Sequence, residues 1–296
     1  MLAQEFMRNA LIAGSVVGIA CGLVGWFVVL RAQVFAGDAL SHVAFTGALA
    51  AAAFGVDLKA GLFLATILGG VLIGALGDRT RADDVVIGTL FAWTLGLGVL
   101  FLSIFTTNGS GSGDNGAAGV RVLFGSIFGL SAADVRMSVI LAAVAVVALA
   151  AMARPLLFAS LDRSVAAAQG VPVRAVGLVF LGLVGLVAAQ ATQAVGALLL
   201  LGLLAAPAGA AHRLTTRPWA GVGLSALFAL GSVWLGLSLA YVFPTLPPST
   251  MVISAAATLG STRTGVSGWC GLTGALTRRS TRLPAAILSG RFWLFS

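Results

Sequence analysis

The sequence predicts an all-α, polytopic membrane protein of about eight to nine transmembrane helices, and three observations predict it. Hydrophobic residues make up 59% of the 296 positions and charged residues 9%, with mean hydropathy +1.07, whereas soluble domains carry about 25% charged residues. Apolar runs of about 18 residues or more, the length that crosses a ~30 Å hydrocarbon core, recur along most of the chain. The 39 glycines are spread through those runs. This favours helices packed backbone to backbone over a barrel with alternating faces.

The runs fall near residues 9–30, 34–54, 58–77, 85–105, 135–153, 173–190, 194–211 and 218–243. The first lacks a basic leader beyond Arg8 and reaches Leu30, so it reads as a span and not a signal peptide. Residues 249–260 form a ninth run, too short to cross alone. Residues 120–130 are also short and fit a re-entrant or interfacial piece. Residues 106–119, rich in Gly, Ser and Asn, read as an exposed loop. Residues 154–174, polar and carrying Pro155 and Pro172, read as a connection with a small helical core. Small-residue ladders such as Gly14, Gly18 and Gly22, and then Gly70 and Gly74, permit close helix approach, for tight packing or for mobile contacts. The composition changes near Gly260. The organisation expected is therefore a transmembrane domain over 1–260 and a basic, poorly ordered tail over 261–296.

Basic residues orient the chain. With nine crossings and the amino terminus outside, thirteen Lys and Arg fall on the inner side and four on the outer, which favours a cytoplasmic carboxyl terminus. The same asymmetry accounts for the net charge of +8 without any nucleic-acid partner. Cys21 and Cys270 are too few for a cysteine metal site and make an implausible disulfide. The stretch Gly109–Gly113 lacks the Lys-Ser/Thr of a phosphate loop, and Lys59 is the only lysine, so the chain is not expected to hydrolyse ATP. Nor does it offer a nucleophile–base pair. It reads as no enzyme.

Asp38 and His42 carry the chemistry. Of nine acidic residues, Asp38 alone lies within a run long enough to span a bilayer. A carboxylate at such depth costs roughly 3 kcal/mol on insertion scales, so it needs a reason to be there. Spacing i,i+4 puts Asp38 and His42 on one helical face. A carboxylate oxygen with an imidazole nitrogen suits Zn²⁺, Mn²⁺ or Fe²⁺. Ser41 beside them can add a supporting hydrogen bond. The competing reading makes Asp38 a helix cap and pairs His42 with a backbone carbonyl. His212, followed by Arg213, reads as an ordinary boundary residue, and Pro207 should kink its span. In residues 161–172, Asp162 can cap a short helix, Ala166 to Ala168 favour it and Gly170 can end it. Such a helix is a shape that a membrane subunit can offer a soluble partner.

These segments resemble the permease subunits of metal-type ABC importers, the family serving zinc, manganese and iron. The resemblance covers roughly residues 8–260. It rests on residues 30–42, LRAQVFAGDALSH, on residues 162–171, DRSVAAAQGV, and on Val195-Gly196-Ala197-Leu198-Leu199 leading to Pro207-Ala208. It implies an architecture of the metal/cobalamin type, a homodimeric pore in the cytoplasmic membrane, a separate cytoplasmic ATPase and an extracytoplasmic metal-binding protein that delivers the ion. It makes Asp38 and His42 ligands on the translocation path, with Ser41 supporting them. Asp162, Arg163, Ala166, Ala167 and Gly170 would belong to a coupling helix seated on the ATPase. The ion, Zn²⁺, Mn²⁺ or Fe²⁺, would be cargo, with no cofactor bound permanently. Two alternatives stay open: an ion-coupled transporter using Asp38 and His42 as a proton relay, and an ABC permease for a metal chelate, which needs a wide cavity.

Overall fold

A computed structural model describes residues 5–77, 83–108, 125, 127–197 and 200–242. Among them every regular element is a helix. In chain order these are α1 (Glu5–Leu30), α2 (Val34–Ala53), α3 (Leu58–Gly77), α4 (Asp83–Asn108), a 3-10 turn (Ile127–Gly129), α5 (Ala132–Leu161), α6 (Arg163–Ala168), α7 (Val173–Val195), α8 (Leu200–Leu214) and α9 (Pro218–Val242). Seven of the described helices (α1–α5, α7 and α9) are long and apolar enough to cross a membrane. The polytopic helical class read from composition is the class observed. The ninth run at 249–260, most of the Gly-rich loop, Cys270 and the tail at 261–296 lie outside the described residues.

The turns explain where the helices stop. After α1, the Ala32 N–H bonds the Val29 carbonyl and the Gln33 N–H reaches back to Val28, with Ala32 at φ 54°. This is a Schellman closure in a position that favours glycine, and an L-residue there carries a steric cost of about 1–2 kcal/mol. The same closure ends α2, where Gly55 at φ 71° donates to Ala52 and Val56 to Ala51. Asp57 then accepts the Lys59 N–H at the start of α3. Ser131 and Asp134 form a reciprocal capping box at the start of α5.

Three boundaries differ from the sequence expectation. The run at 135–153 does not end before Pro155, because α5 continues through it to Leu161. At 30 residues, or about 45 Å, α5 outruns the bilayer core, so the proline falls in its final turns. The expected break at 190–194 also disappears. Polar Gln190, Thr192 and Gln193 suggest a loop, yet α7 carries them to Val195, with Gln190 only 2% exposed and Thr192 fully buried. The break comes at Gly196, whose φ of 97° an L-residue rarely adopts. The following α8 therefore has only 15 residues, about 22 Å. It carries Pro207 internally and is shorter than a full crossing needs.

Packing is governed by small residues. Gly14, Gly18 and Gly22 of α1 face Val233, Ala229 and Ala226 of α9, and a Cβ at Gly22 would stand 2.7 Å from the Ala226 Cα. The Ser225 hydroxyl donates to the Gly22 carbonyl at 2.6 Å across that contact. Gly70 and Gly185 bring α3 and α7 together, each facing a backbone carbonyl of the other helix. These glycines serve close approach. The apolar core runs through α1, α7, α8 and α9, with Phe27, Phe180, Leu203, Leu204 and Leu237 fully enclosed. At one edge α4 packs chiefly on α2.

Candidate metal pathway on the second helix

The Asp38 side chain belongs to a helix interior. Helix α2 begins at Val34, its flanking residue Gln33 makes no side-chain cap bond, and Asp38 lies a full turn beyond. The capping role is thereby removed. Among the described residues no backbone carbonyl holds His42 either. Its imidazole meets the Phe91 ring of α4 edge to face, with centroids 4.9 Å apart and planes at 87°. Both side chains are half-buried. No hydrogen bond or ion pair with another described residue engages either group. The carboxylate opens on a cleft of about 390 Å³ between α2 and α4, lined also by Phe35, Ala39, Ile87, Gly88 and Phe91.

The serine beside them acts through the backbone. Ser41 is fully buried and its hydroxyl donates to the Asp38 carbonyl oxygen at 2.7 Å, so it touches neither the carboxylate nor the imidazole directly. One turn beyond His42, Thr46 donates to the Thr94 carbonyl of α4 at 2.8 Å. Gly98 allows that approach, since a Cβ there would come within 2.9 Å of the Thr46 hydroxyl. Asp38, His42 and Thr46 thus form one face of α2, and α4 is the helix it meets. The α4 residues escaped the sequence reading because Ile87, Gly88 and Phe91 look like any apolar span. Among the described residues no cluster of three or more His, Cys, Asp or Glu could complete a metal site.

His212 is set apart from this face. Its Nε2 lies 3.0 Å from the Trp26 carbonyl oxygen and its ring stacks on Trp26 at 4.7 Å and 13°. It ties α8 to α1, in keeping with a structural boundary residue. Arg31, at the end of α1, lays its guanidinium over the Phe180 ring, 5.4 Å from the centroid.

The connection after α5 folds as its residues suggest. The Asp162 carboxylate accepts from the Ser164 and Val165 N–H groups and from the Ser164 hydroxyl. Those bonds hold its pKa below the ordinary carboxylate range. Gly170 at φ 81° donates to Ala167 and Val171 to Ala166, which closes α6. Arg163, Ala167 and Gly170 are exposed, whereas Ala166 is fully buried and anchors α6 to the bundle.

Comparison with known proteins bears on this arrangement. Residues 3–262 match the model of the ABC 3 transport family. The chain belongs to that family. The resemblance drawn from residues 30–42 and 162–171 is borne out at this level, and the ion-coupled secondary transporter is set aside. Among its relatives is the manganese transport system membrane protein MntC of Halalkalibacterium halodurans, 27% identical over 86% of this chain and 85% of the relative. Another is the manganese import system permease protein ScaB of Streptococcus parasanguinis, 30% identical over 85% of this chain and 88% of the relative. A solved structure, PsaBC from Streptococcus pneumoniae in complex with Fab, superposes with TM-score 0.75 and 26% identity, covering 91% of this chain and 96% of that one.

Proposed function

We propose that this chain is the membrane-spanning subunit of an ATP-driven importer of a divalent transition metal ion, with Asp38 and His42 as its ligands in transit. The observation that carries the proposal is the face of α2. It carries a carboxylate that lines an open cleft and, one turn further along a helix apolar enough to span a membrane, an imidazole against Phe91, neither with a hydrogen-bond partner among the described residues. Half-buried groups that the fold leaves unpaired are costly unless they have a task, and this pair matches first-row divalent ions. The relatives named for manganese favour Mn²⁺ over Zn²⁺.

Two ligands do not complete a coordination shell of four to six. A second copy of the chain, bringing its own α2 to the pore axis, would supply two more, and water the rest. The amino terminus lies outside the cytoplasmic membrane in this reading, which follows the basic-residue asymmetry. The cytoplasmic ATPase seats on residues 162–171, where Asp162 shapes α6, Ala166 anchors it, and Arg163, Ala167 and Gly170 face the partner. An extracytoplasmic metal-binding protein loads the opposite mouth. Residues 1–260 carry the permease and 261–296 form a separate tail. Ser41 steadies the Asp38 backbone by its hydrogen bond. ATP binding and hydrolysis on the partner move the helices, and the ion passes from partial hydration to the Asp38/His42 ligands and on to the cytoplasm.

The test is cellular manganese, zinc and iron, measured by mass spectrometry in a strain lacking the permease and complemented with wild type, Asp38→Ala or His42→Ala at matched membrane levels. Restoration of one metal by wild type alone is expected. Full restoration by both variants would remove the pair from the transport route.

A further inference from the structure

Helices α2 and α4 run parallel and meet unevenly along their length. Asp38 shares its cleft with Ile87, Gly88 and Phe91, His42 meets Phe91, Thr46 meets Thr94 and Gly98, and Phe54, just past α2, meets Phe101. At Thr46 the approach is close, since a Cβ at Gly98 would stand 2.9 Å from its hydroxyl. At Asp38 the helices part around the 390 Å³ cleft. Little of α4 is buried, and it packs chiefly on α2. Its pose at the open end therefore depends on what holds it at the closed one.

The Thr46 hydroxyl makes a polar tie at the closed end. A helical threonine can satisfy its hydroxyl on its own helix, and Thr66 does so on the Leu62 and Phe63 carbonyls. Thr46 is buried and instead crosses to α4, donating to the Thr94 carbonyl at 2.8 Å. The Thr94 hydroxyl turns back to the Phe91 carbonyl at 2.9 Å, and the Phe91 ring is the one set edge to face with His42. A single turn of α4 therefore carries both the anchor for Thr46 and the wall against the imidazole. On α2, Thr46 lies one turn from His42, about 6 Å along the axis.

We infer that Thr46 is a positioning residue for metal passage: its bond to Thr94 sets the pose of α4 beside Asp38 and His42, and with it where Phe91 holds the imidazole. This rests on the reading of Asp38 and His42 as pathway ligands. Thr46 acts through α4 and not by contact with the ion. Removing its hydroxyl leaves no orphaned acceptor, because the Thr94 carbonyl lies inside α4 and serves that helix's own ladder. The loss therefore falls on the fit of the two helices.

The experiment measures radioactive Mn²⁺ uptake at saturating metal into cells expressing the full importer, normalised to permease level, with co-purification of the ATPase subunit measured in parallel. Thr46→Val keeps the side-chain shape and removes the hydroxyl, whereas Thr46→Ser keeps the hydroxyl. Ser225→Ala is the control, because it removes a buried bond of the same kind between α9 and the Gly22 carbonyl of α1. Hydrogen bonds between membrane helices are worth about threefold on average and roughly tenfold or more at the upper end. Uptake per permease should fall roughly threefold to tenfold in Thr46→Val, return to near wild type in Thr46→Ser, and stay at wild type in Ser225→Ala. Wild-type uptake by Thr46→Val, equal losses in Thr46→Val and Ser225→Ala, or no recovery in Thr46→Ser would overturn the inference. If Asp38→Ala abolishes uptake while Thr46→Val transports normally, only the positioning role falls. If Asp38→Ala transports normally, the ligand reading falls and the inference with it.

Discussion

Replacing Gly47 by valine should separate the two helices that fix the position of the Asp38/His42 face. A Cβ at 47 would stand 2.2 Å from the Ala65 Cβ and 2.7 Å from the Gly61 carbonyl oxygen, where carbon atoms rest at about 3.5–4.0 Å. The helices must then part by more than about 1 Å. Rotation offers no escape, since a Cβ at Gly61 would stand 2.5 Å from the Gly47 carbonyl oxygen and 2.3 Å from the Ala51 Cβ. Overpacking of this kind costs ~1–3 kcal/mol. Two methyl groups beyond the Cβ put valine at the upper end, and its better helix propensity returns only a few tenths. The net is about 2.5 kcal/mol, or roughly seventyfold in the unfolding constant. Reversible SDS unfolding in mixed micelles, followed by tryptophan fluorescence, reads that change. Gly96→Val is the paired measurement: it meets no neighbour and should leave stability unchanged or slightly raised. If Gly47→Val unfolds at the same SDS fraction as Gly96→Val, close approach is not what Gly47 provides.

Two further outcomes are expected. Asp162→Ala removes the acceptor of both first-turn N–H groups of α6, so limited proteolysis at residues 162–171 should accelerate and ATPase co-purification fall. In the wild type the depressed pKa of Asp162 means that its stabilisation of α6 is present above the ordinary value of about 3.9. It is lost as pH falls through the lower folded value, so protease resistance should be flat at neutral pH and fail only in acid. His212→Phe keeps the stack on Trp26 and loses one bond to its carbonyl. A stability loss of about 1 kcal/mol with near-normal metal uptake is expected by denaturation and mass spectrometry, in contrast to His42→Ala.

Much of the architecture was legible because a bilayer imposes length and hydropathy on every crossing segment. The starts of α2, α3 and α9 and the cap and closure of α6 follow from local residues: Val34 after a polar break, Asp57 and Pro218 at helix starts, Asp162 and Gly170 around a short alanine run. Two boundaries misled, each for its own physical reason. Gln190 and Thr192 look like loop residues, and Pro155 looks like a helix end, when only the next residues are considered. Burial between neighbouring helices decides the first case, and the length of α5 beyond the bilayer decides the second.

The sequence by itself determined the helical class, the family signature and the placing of Asp38 and His42 one turn apart in an apolar run, since each is a property of residue type and spacing along one segment. Only the tertiary structure decided what those residues face. It turned Asp38 from a possible cap into a cleft-lining carboxylate, and set Phe91 against His42 and Gly88 in the Asp38 cleft. It also separated His212 from the pathway. Such facts depend on which helix lies beside α2, and that is settled by glycine contacts between distant segments, which no local pattern records.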